Sequence, residues 1–201
     1  LRYRLQGVAH EQARLVADGW RVLHVEGAGR GKLKHVIEVD GEAFTLTGKI
    51  DRIDRHEDGR HRIIDYKTSD SPKSPDQTHR AGPKGDKRWT DLQLPLYRDL
   101  CAAVGLADAA VKLAYFNVPR AVSEVAVAEA DWDDAALGEA QTMRDEVVRA
   151  LRAQRYWPPS DEPPRFADGL AGVCADAADG RADIVHRSGT RVVGGKGGGD
   201  E

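Results

Sequence analysis

Apolar and polar positions follow different periods in different parts of this chain, and each period marks a different kind of element. Residues 1–18 place Leu1, Leu5, Val8, Gln12 and Leu15 three to four apart, the spacing of one helical face, and Gly19 stops the run. Trp20–Glu26 reads as extended. Strand patterns then occupy Leu33–Asp40, Ala43–Asp54 and His61–Lys67, separated by turns at Asp40-Gly41-Glu42 and around Asp58-Gly59. Turns this short leave no room for helical crossovers, so an antiparallel meander is expected.

Residues 69–89 hold three prolines, two glycines and many charges without apolar periodicity. A loop of that length in a compact domain is commonly functional or disordered. Helical spacing returns at Asp91–Val104, with Leu92, Leu96 and Leu100 on one side, Pro95 near the first turn and Gly105 as the stop. Val111–Val118 is nearly all apolar, as in a strand buried on both faces. Ala136, Ala140, Met143, Val147 and Leu151 then mark a long helix that begins near Asp131 and ends before Pro158-Pro159. This order predicts an α/β domain, a central mixed β-sheet flanked by helices, over residues 1–170. Residues 171–201 are expected to form a low-complexity, disordered tail. The chain opens without methionine directly on a helical pattern, which leads us to expect a piece of a longer protein.

A length of 201 residues suits one domain, and 40% apolar with 31% charged residues suits a soluble one. No segment approaches the roughly 18 to 20 consecutive apolar residues of a membrane span, and the start lacks a signal-peptide pattern. A cytoplasmic protein without a membrane partner is expected. Cys101 and Cys174 stand far apart without Cys-x-x-Cys spacing, so no iron–sulfur cluster is expected. The net charge of −3 runs against the basic excess typical of nucleic-acid binders. It still permits one, because a metal site concentrates carboxylates while basic groups gather on a single face.

Strand geometry puts Asp65 and Lys67 on one face and Tyr66 on the other. Asp51 lies fourteen residues earlier, across the turn around Asp58-Gly59. It can converge on Asp65, although equal counting from the turn pairs 51 nearer 67, so an offset or bulge is expected. Asp51 and Asp65, helped by the Tyr66 carbonyl, make an all-oxygen site suited to Mg2+ or Mn2+. Lys67 beside it is placed to orient a water and stabilise charge on a phosphate, which is the chemistry of phosphodiester hydrolysis. By itself an acid-x-Lys tripeptide is a weak signal, expected about once by chance in so charged a chain.

Context strengthens it. Gly48-Lys49-Ile50-Asp51-Arg52-Ile53-Asp54, Ile63-Ile64-Asp65-Tyr66-Lys67-Thr68 and Gln93-Leu94-Pro95-Leu96-Tyr97 follow in that order. At these residues the chain resembles the PD-(D/E)XK nuclease superfamily, specifically the RecB/AddB-like exonuclease domains found with recombination helicases, over roughly residues 20–165. The resemblance implies a restriction-endonuclease-like core and metal-dependent hydrolysis of DNA, with exonuclease favoured over endonuclease. It implies a nuclease module of a repair or recombination protein, acting on single-stranded DNA or duplex ends beside a helicase domain or subunit. Asp51 and Asp65 would bind the metal, Lys67 would be catalytic, and Gln93 and Tyr97 would lie beside the site. Spacing of i and i+4 supports the last pair independently.

Glu26 matches a glutamate that often follows the first helix in this family, as a further metal or water ligand or as an exposed strand-end residue. Arg52 and Asp54 are expected to form structural ion pairs. Two departures stand out. The surroundings of His10 do not match the metal-assisting histidine of many relatives, and two isolated cysteines cannot replace the four that hold a cluster in others. His24, His35, His56, His61, His79 and His186 lack ligand-like spacing and read as surface or structural. Lys73, Arg80, Lys84, Lys87, Arg88 and Trp89 make the 69–89 loop either a contact for phosphates and a stacked base or a solvated insertion. Two rival readings remain: a nuclease-like domain without cleavage that binds DNA or docks proteins, and an interaction module whose acid-x-Lys is coincidental.

Overall fold

The computed structural model describes residues 2–26, 32–106 and 110–155. Along them run helix α1 (Arg2–Ala17), strands β1 (Trp20–Val25), β2 (Leu33–Val39), β3 (Glu42–Gly48), β4 (Arg52–His56) and β5 (His61–Lys67), and the short helix α2 (Pro75–His79). A ribbon of β6 (Arg80–Ala81) and β7 (Arg88–Trp89), helix α3 (Gln93–Leu100), strands β8 (Val111–Asn117) and β9 (Ala126–Glu129), and helix α4 (Asp134–Arg152) follow. The chain divides into a unit Leu1–Ala153, the subject below, and a second unit Gln154–Glu201. The expected boundary at residue 170 and the tail beyond it lie outside the described residues.

The central sheet has the order β1-β4-β5-β8-β9. β4 runs antiparallel to β1 and β5, β5 parallel to β8, and β8 antiparallel to β9, so the sheet is mixed as expected. The parallel pair needs a long crossover, and the segment carrying α2, the ribbon and α3 supplies it. The meander expected from the sequence breaks in the middle. Ala43–Asp54 is two strands in two sheets: among the described residues β3 pairs only with β2, while β4 crosses into the central sheet. The physical difference is burial, since β3 is nowhere fully buried whereas Arg52, Ile53 and Asp54 of β4 all are. Gly48 stands at the break, where a Cβ would come within 2.7 Å of Leu100 Cδ1 and oblige that side chain to shift.

Alternation along the inner strands builds two apolar layers. Ile53, Ile63, Leu113 and Tyr115 face Leu94, Leu100, Ala136 and Ala140 on the side of α3 and α4. Ile64, Ala114 and Phe116 face Leu15 and Trp20 on the side of α1. Each fully buried large apolar side chain contributes about 1.5–3 kcal/mol, so these two layers hold the sheet in place. Helix α1 buries Gly7, Glu11 and Leu15, and Leu5, expected on the inner stripe, is exposed. Asp133 caps α4 by accepting from the Ala136 N–H at 2.8 Å. The helix expected over Asp91–Val104 is α3 tightening into a 3-10 turn, Cys101–Val104, that ends at left-handed Gly105. Residues 69–89, read as a loop, contain α2 and the ribbon. Trp89 is buried there against Trp132, ring centroids 4.7 Å apart, and its indole N–H donates to the Ala136 carbonyl at 3.1 Å.

Candidate active site

The turn between β4 and β5 decides how the aspartates meet. His56 N–H donates to the Arg60 carbonyl at 2.8 Å, leaving a three-residue loop, Glu57-Asp58-Gly59, closed by Gly59 at φ 93°. The strands are thus centred on Asp58, with Arg52 opposite Ile64, and one step further out Asp51 falls opposite Asp65. The register of β4 with β5 is regular, so the offset expected from the sequence is not needed; counting 51 against 67 had placed the turn centre one residue too late.

Asp51 Oδ2 accepts the Tyr66 N–H at 3.0 Å. Asp65 Oδ1 accepts Gln93 Nε2 at 3.0 Å, and Oδ2 lies 2.8 Å from Lys67 Nζ. That ion pair is out of line for a hydrogen bond, and Oδ2 is buried without one. Lys67 Nζ also reaches Gln93 Oε1 at 3.4 Å and sits 4.5 Å over the Tyr115 ring. Gln93 Nε2 donates to the Tyr97 hydroxyl at 2.9 Å, one helical turn on. Asp65, Lys67, Gln93 and Tyr97 thus form one connected group at the carboxyl end of β5, under the start of α3, and Asp51 joins it through the Tyr66 main chain.

Glu26 joins this end of the sheet through its main chain, whose N–H donates to the Asp51 carbonyl at 2.8 Å, while Lys49 Nζ holds its carboxylate at 2.7 Å. The Tyr66 side chain points to the other face, with its ring 5.3 Å from Phe116 and its hydroxyl 3.3 Å from Arg52 Nη1. Only its main chain belongs to the site. Arg52 and Asp54 form the expected ion pair on the α1 side. His10 is exposed on α1.

Negative charge is in excess here. Burial raises the Asp51 carboxyl above its ordinary value, the fields of Asp65 and Glu26 add to this, and the Tyr66 N–H and Lys67 offset only part. Burial likewise raises the Tyr97 hydroxyl, and Asp65, Asp51 and Glu26 all contribute. The donors are all oxygen, and the buried Asp65 Oδ2 lacks a hydrogen bond, which fits a hard divalent cation such as Mg2+ or Mn2+. Among the described residues no group of three or more His, Cys, Asp or Glu side chains is assembled to hold a metal. An ion at Asp51 and Asp65 would need further oxygen ligands from the main chain, water or the Glu26 carboxylate.

Three supporting residues escaped the sequence reading. The Tyr115 hydroxyl lies 2.6 Å from His79 Nε2, and His79 Nδ1 lies 3.0 Å from the Asp91 carbonyl oxygen. Asp91 Oδ1 in turn accepts the Gln93 N–H at 2.7 Å, so a chain of contacts runs from the ring beneath Lys67 through buried His79 to the first residue of α3. Asn117 is the third. Tyr115 and Asn117 were hidden in an apolar strand whose partner was unknown; their places opposite Asp65 and Lys67 come from the parallel pairing. His79, read as surface or structural, is fully buried. Of the loop cations, Arg80 and Lys87 are taken up by Asp76. Trp89 is a core residue, which removes it as a base-stacking platform. Cys101 is buried and its thiol is pushed up to about 12, while Cys174 lies outside the described residues.

A mixed sheet whose parallel pair ends in an acid-x-Lys strand, with a second aspartate opposite the acid and helices on both faces, is the restriction-endonuclease-like class of α/β fold. The chain belongs to the PD-(D/E)XK nuclease superfamily, whose family model matches residues 1–184. Among solved structures it is similar to SSO0001, at 18% identity and TM-score 0.43, covering 86% of this chain and 68% of that one. It is also similar to a provisionally assigned exonuclease from Eubacterium rectale, at 14% identity and TM-score 0.42, covering 85% of this chain and 65% of that one. The chain thus spans about two thirds of the length of these proteins. No curated protein matches it.

Proposed function

We propose that this chain is a Mg2+- or Mn2+-dependent DNA nuclease of the RecB/AddB-like kind, an exonuclease rather than an endonuclease. In this reading it is the nuclease module of a repair or recombination protein and works on single-stranded DNA or duplex ends beside a helicase domain or subunit. The observation that carries the proposal is the register that sets Asp51 opposite Asp65 with Lys67 on the same face. Asp51, Asp65 and the Tyr66 carbonyl would hold the ion, with the Glu26 carboxylate, paired with Lys49 in this structure, as a further ligand. A bound ion supplies Lewis acidity toward the phosphate and a more acidic water. Lys67 donates to a nonbridging phosphate oxygen as charge builds there. Gln93 bonds both Asp65 and Lys67, so the lysine stays aimed outward rather than collapsing wholly onto its carboxylate neighbour, and Tyr97 fixes the orientation of the Gln93 amide.

The test is cleavage of linear single-stranded and duplex DNA with magnesium or manganese, for wild type, Asp65→Ala and Lys67→Ala. Either substitution is expected to lower the rate by about a thousandfold or more, the scale of losing one preorganised charge partner in a transition state. Equal rates in all three proteins would sink the mechanism. DNA binding without cleavage in the wild type would turn the assignment to a noncleaving scaffold. End-labelled linear DNA compared with circular DNA separates exonuclease from endonuclease.

A further inference from the structure

We infer that Lys73 is a fixed contact for a DNA phosphate next to the cleavage site, and that Asn117 is the residue that positions it; this rests on the nuclease reading above for the identity of the polyanion. Asn117 ends β8 and pairs with Lys67 in the parallel ladder, so the two side chains leave the same face one strand spacing apart, about 4.8 Å. Asn117 is only 2% exposed. Its Oδ1 accepts the Lys73 N–H at 2.8 Å and its Nδ2 donates to the Lys73 carbonyl at 3.0 Å. One buried amide therefore holds both main-chain polar groups of a single lysine, as another strand would.

The neighbouring chain is tied down as well. Val118 N–H donates to the Lys67 carbonyl at 2.8 Å, Arg120 N–H to the Asp70 carbonyl at 3.0 Å, and Arg4 Nη1 to the Thr68 carbonyl at 3.0 Å. Pro75 is buried just beyond. The result is a lysine with a fixed backbone and an exposed side chain that has no acidic partner among the described residues. Arg80 and Lys87 of the same segment are paired with acids, Lys87 with Asp76 and Arg80 with Asp76 and Glu139. A buried amide is worth keeping only when its bonds are made, and here both go to Lys73, whose main chain they fix against Asn117, the ladder partner of Lys67. The anion that reaches this place during cleavage is a phosphate flanking the scissile one.

The experiment measures binding of fluorescein-labelled oligothymidine by the full chain, by anisotropy in EDTA across a potassium chloride series. Lys73→Ala is compared with Lys112→Ala, an exposed lysine that pairs with Arg62 at the opposite end of β8 from Asn117. Losing one phosphate contact on a single strand is expected to reduce the slope of log K against log salt by about 0.7, with binding weakened several-fold at low salt; Lys112→Ala leaves the slope unchanged. In cleavage assays Lys73→Ala is expected to raise KM with kcat retained. Hydrogen exchange reports on Asn117 directly: the Lys73 amide is expected to be protected in wild type and exposed in Asn117→Ala. An unprotected Lys73 amide in wild type, or equal slopes for the two lysine variants, overturns the inference. DNA that is bound with a Lys73-dependent slope but never cut would defeat the nuclease reading and leave this one standing. DNA cut in an Asp65-dependent way with an unchanged Lys73 slope would do the reverse.

Discussion

Asp54 and Asp51 stand three residues apart in one stretch of chain on opposite faces of the same sheet, Asp54 fully buried and Asp51 half-buried, in opposite electrostatic circumstances. Under α1, Arg52 grips Asp54 at 2.5 and 2.8 Å, and Arg62 reaches Asp54 at 3.4 Å and Glu129 at 3.1 Å. Arg62 Nε lacks a hydrogen bond, yet its guanidinium lies 4.0 Å over the Trp20 ring. Carboxylate and guanidinium are matched there. Under α3, Asp51 and Asp65 meet with Lys67 as their shared cation, Asp65 Oδ2 has no hydrogen bond, and the Asp51 carboxyl is raised by burial and by its acidic neighbours. Buried charge that is compensated serves architecture; buried charge left short of partners is poised to take a ligand.

The sharpest way to break this comparison is to remove one aspartate from each face. Asp54→Ala leaves the buried Arg52 guanidinium without its carboxylate and Arg62 with Glu129 alone, which costs about 3–5 kcal/mol. In a thermal melt this is a fall of about 6–20 °C for a chain of this size. A fall of only a degree or two would show that the α1 face does not depend on its ion pairs.

Asp51→Asn should act in the other direction. The amide oxygen still accepts the Tyr66 N–H, while the charge that Asp65 and Glu26 oppose is gone. Tm is expected to stay level or rise by about 1–3 °C while cleavage is lost, the trade of stability against activity seen at strained sites. Destabilisation on the scale of Asp54→Ala would erase the distinction between the faces.

The smallest effect concerns Glu11, at the edge of the α1 face. Burial pushes its carboxyl up, but hydrogen bonds from Arg14 and the Val127 N–H, with the fields of Arg14 and Arg62, outweigh this and hold it below the ordinary 4.5. A lowered carboxyl contributes stability above its unfolded value and loses it as pH falls through the folded one. Glu11→Gln should therefore melt below wild type at neutral pH, with the gap closing as pH drops below that range. A gap that stays constant across the titration would remove Glu11 from the network.

Much of this was legible before any coordinates. The helix stops at Gly19 and Gly105, the alternation of Ile63, Asp65 and Lys67 against Ile64 and Tyr66, and the i, i+4 pair Gln93 and Tyr97 all follow from spacing along the chain. The candidate site was legible for the same reason, because its acids and lysine sit on two adjoining strands joined by a short turn. Even there the count failed by one residue, since a three-residue loop with left-handed Gly59 and a shorter or longer one look alike in the letters.

What lay beyond the sequence was every feature that depends on a neighbour distant along the chain. The break of Ala43–Asp54 into two sheets reflects burial of Arg52, Ile53 and Asp54, which no local period reveals. Trp89 read as a surface aromatic until α4 was found packed upon it. The parallel docking of β8 on β5, across a crossover of more than forty residues, put Tyr115 beside Asp65 and Asn117 beside Lys67. Backbone geometry repeats every two or 3.6 residues and so writes itself into the order of side chains. Which strand comes to lie beside which is settled by the total burial and hydrogen bonding of the folded chain, and only the tertiary structure expresses that sum.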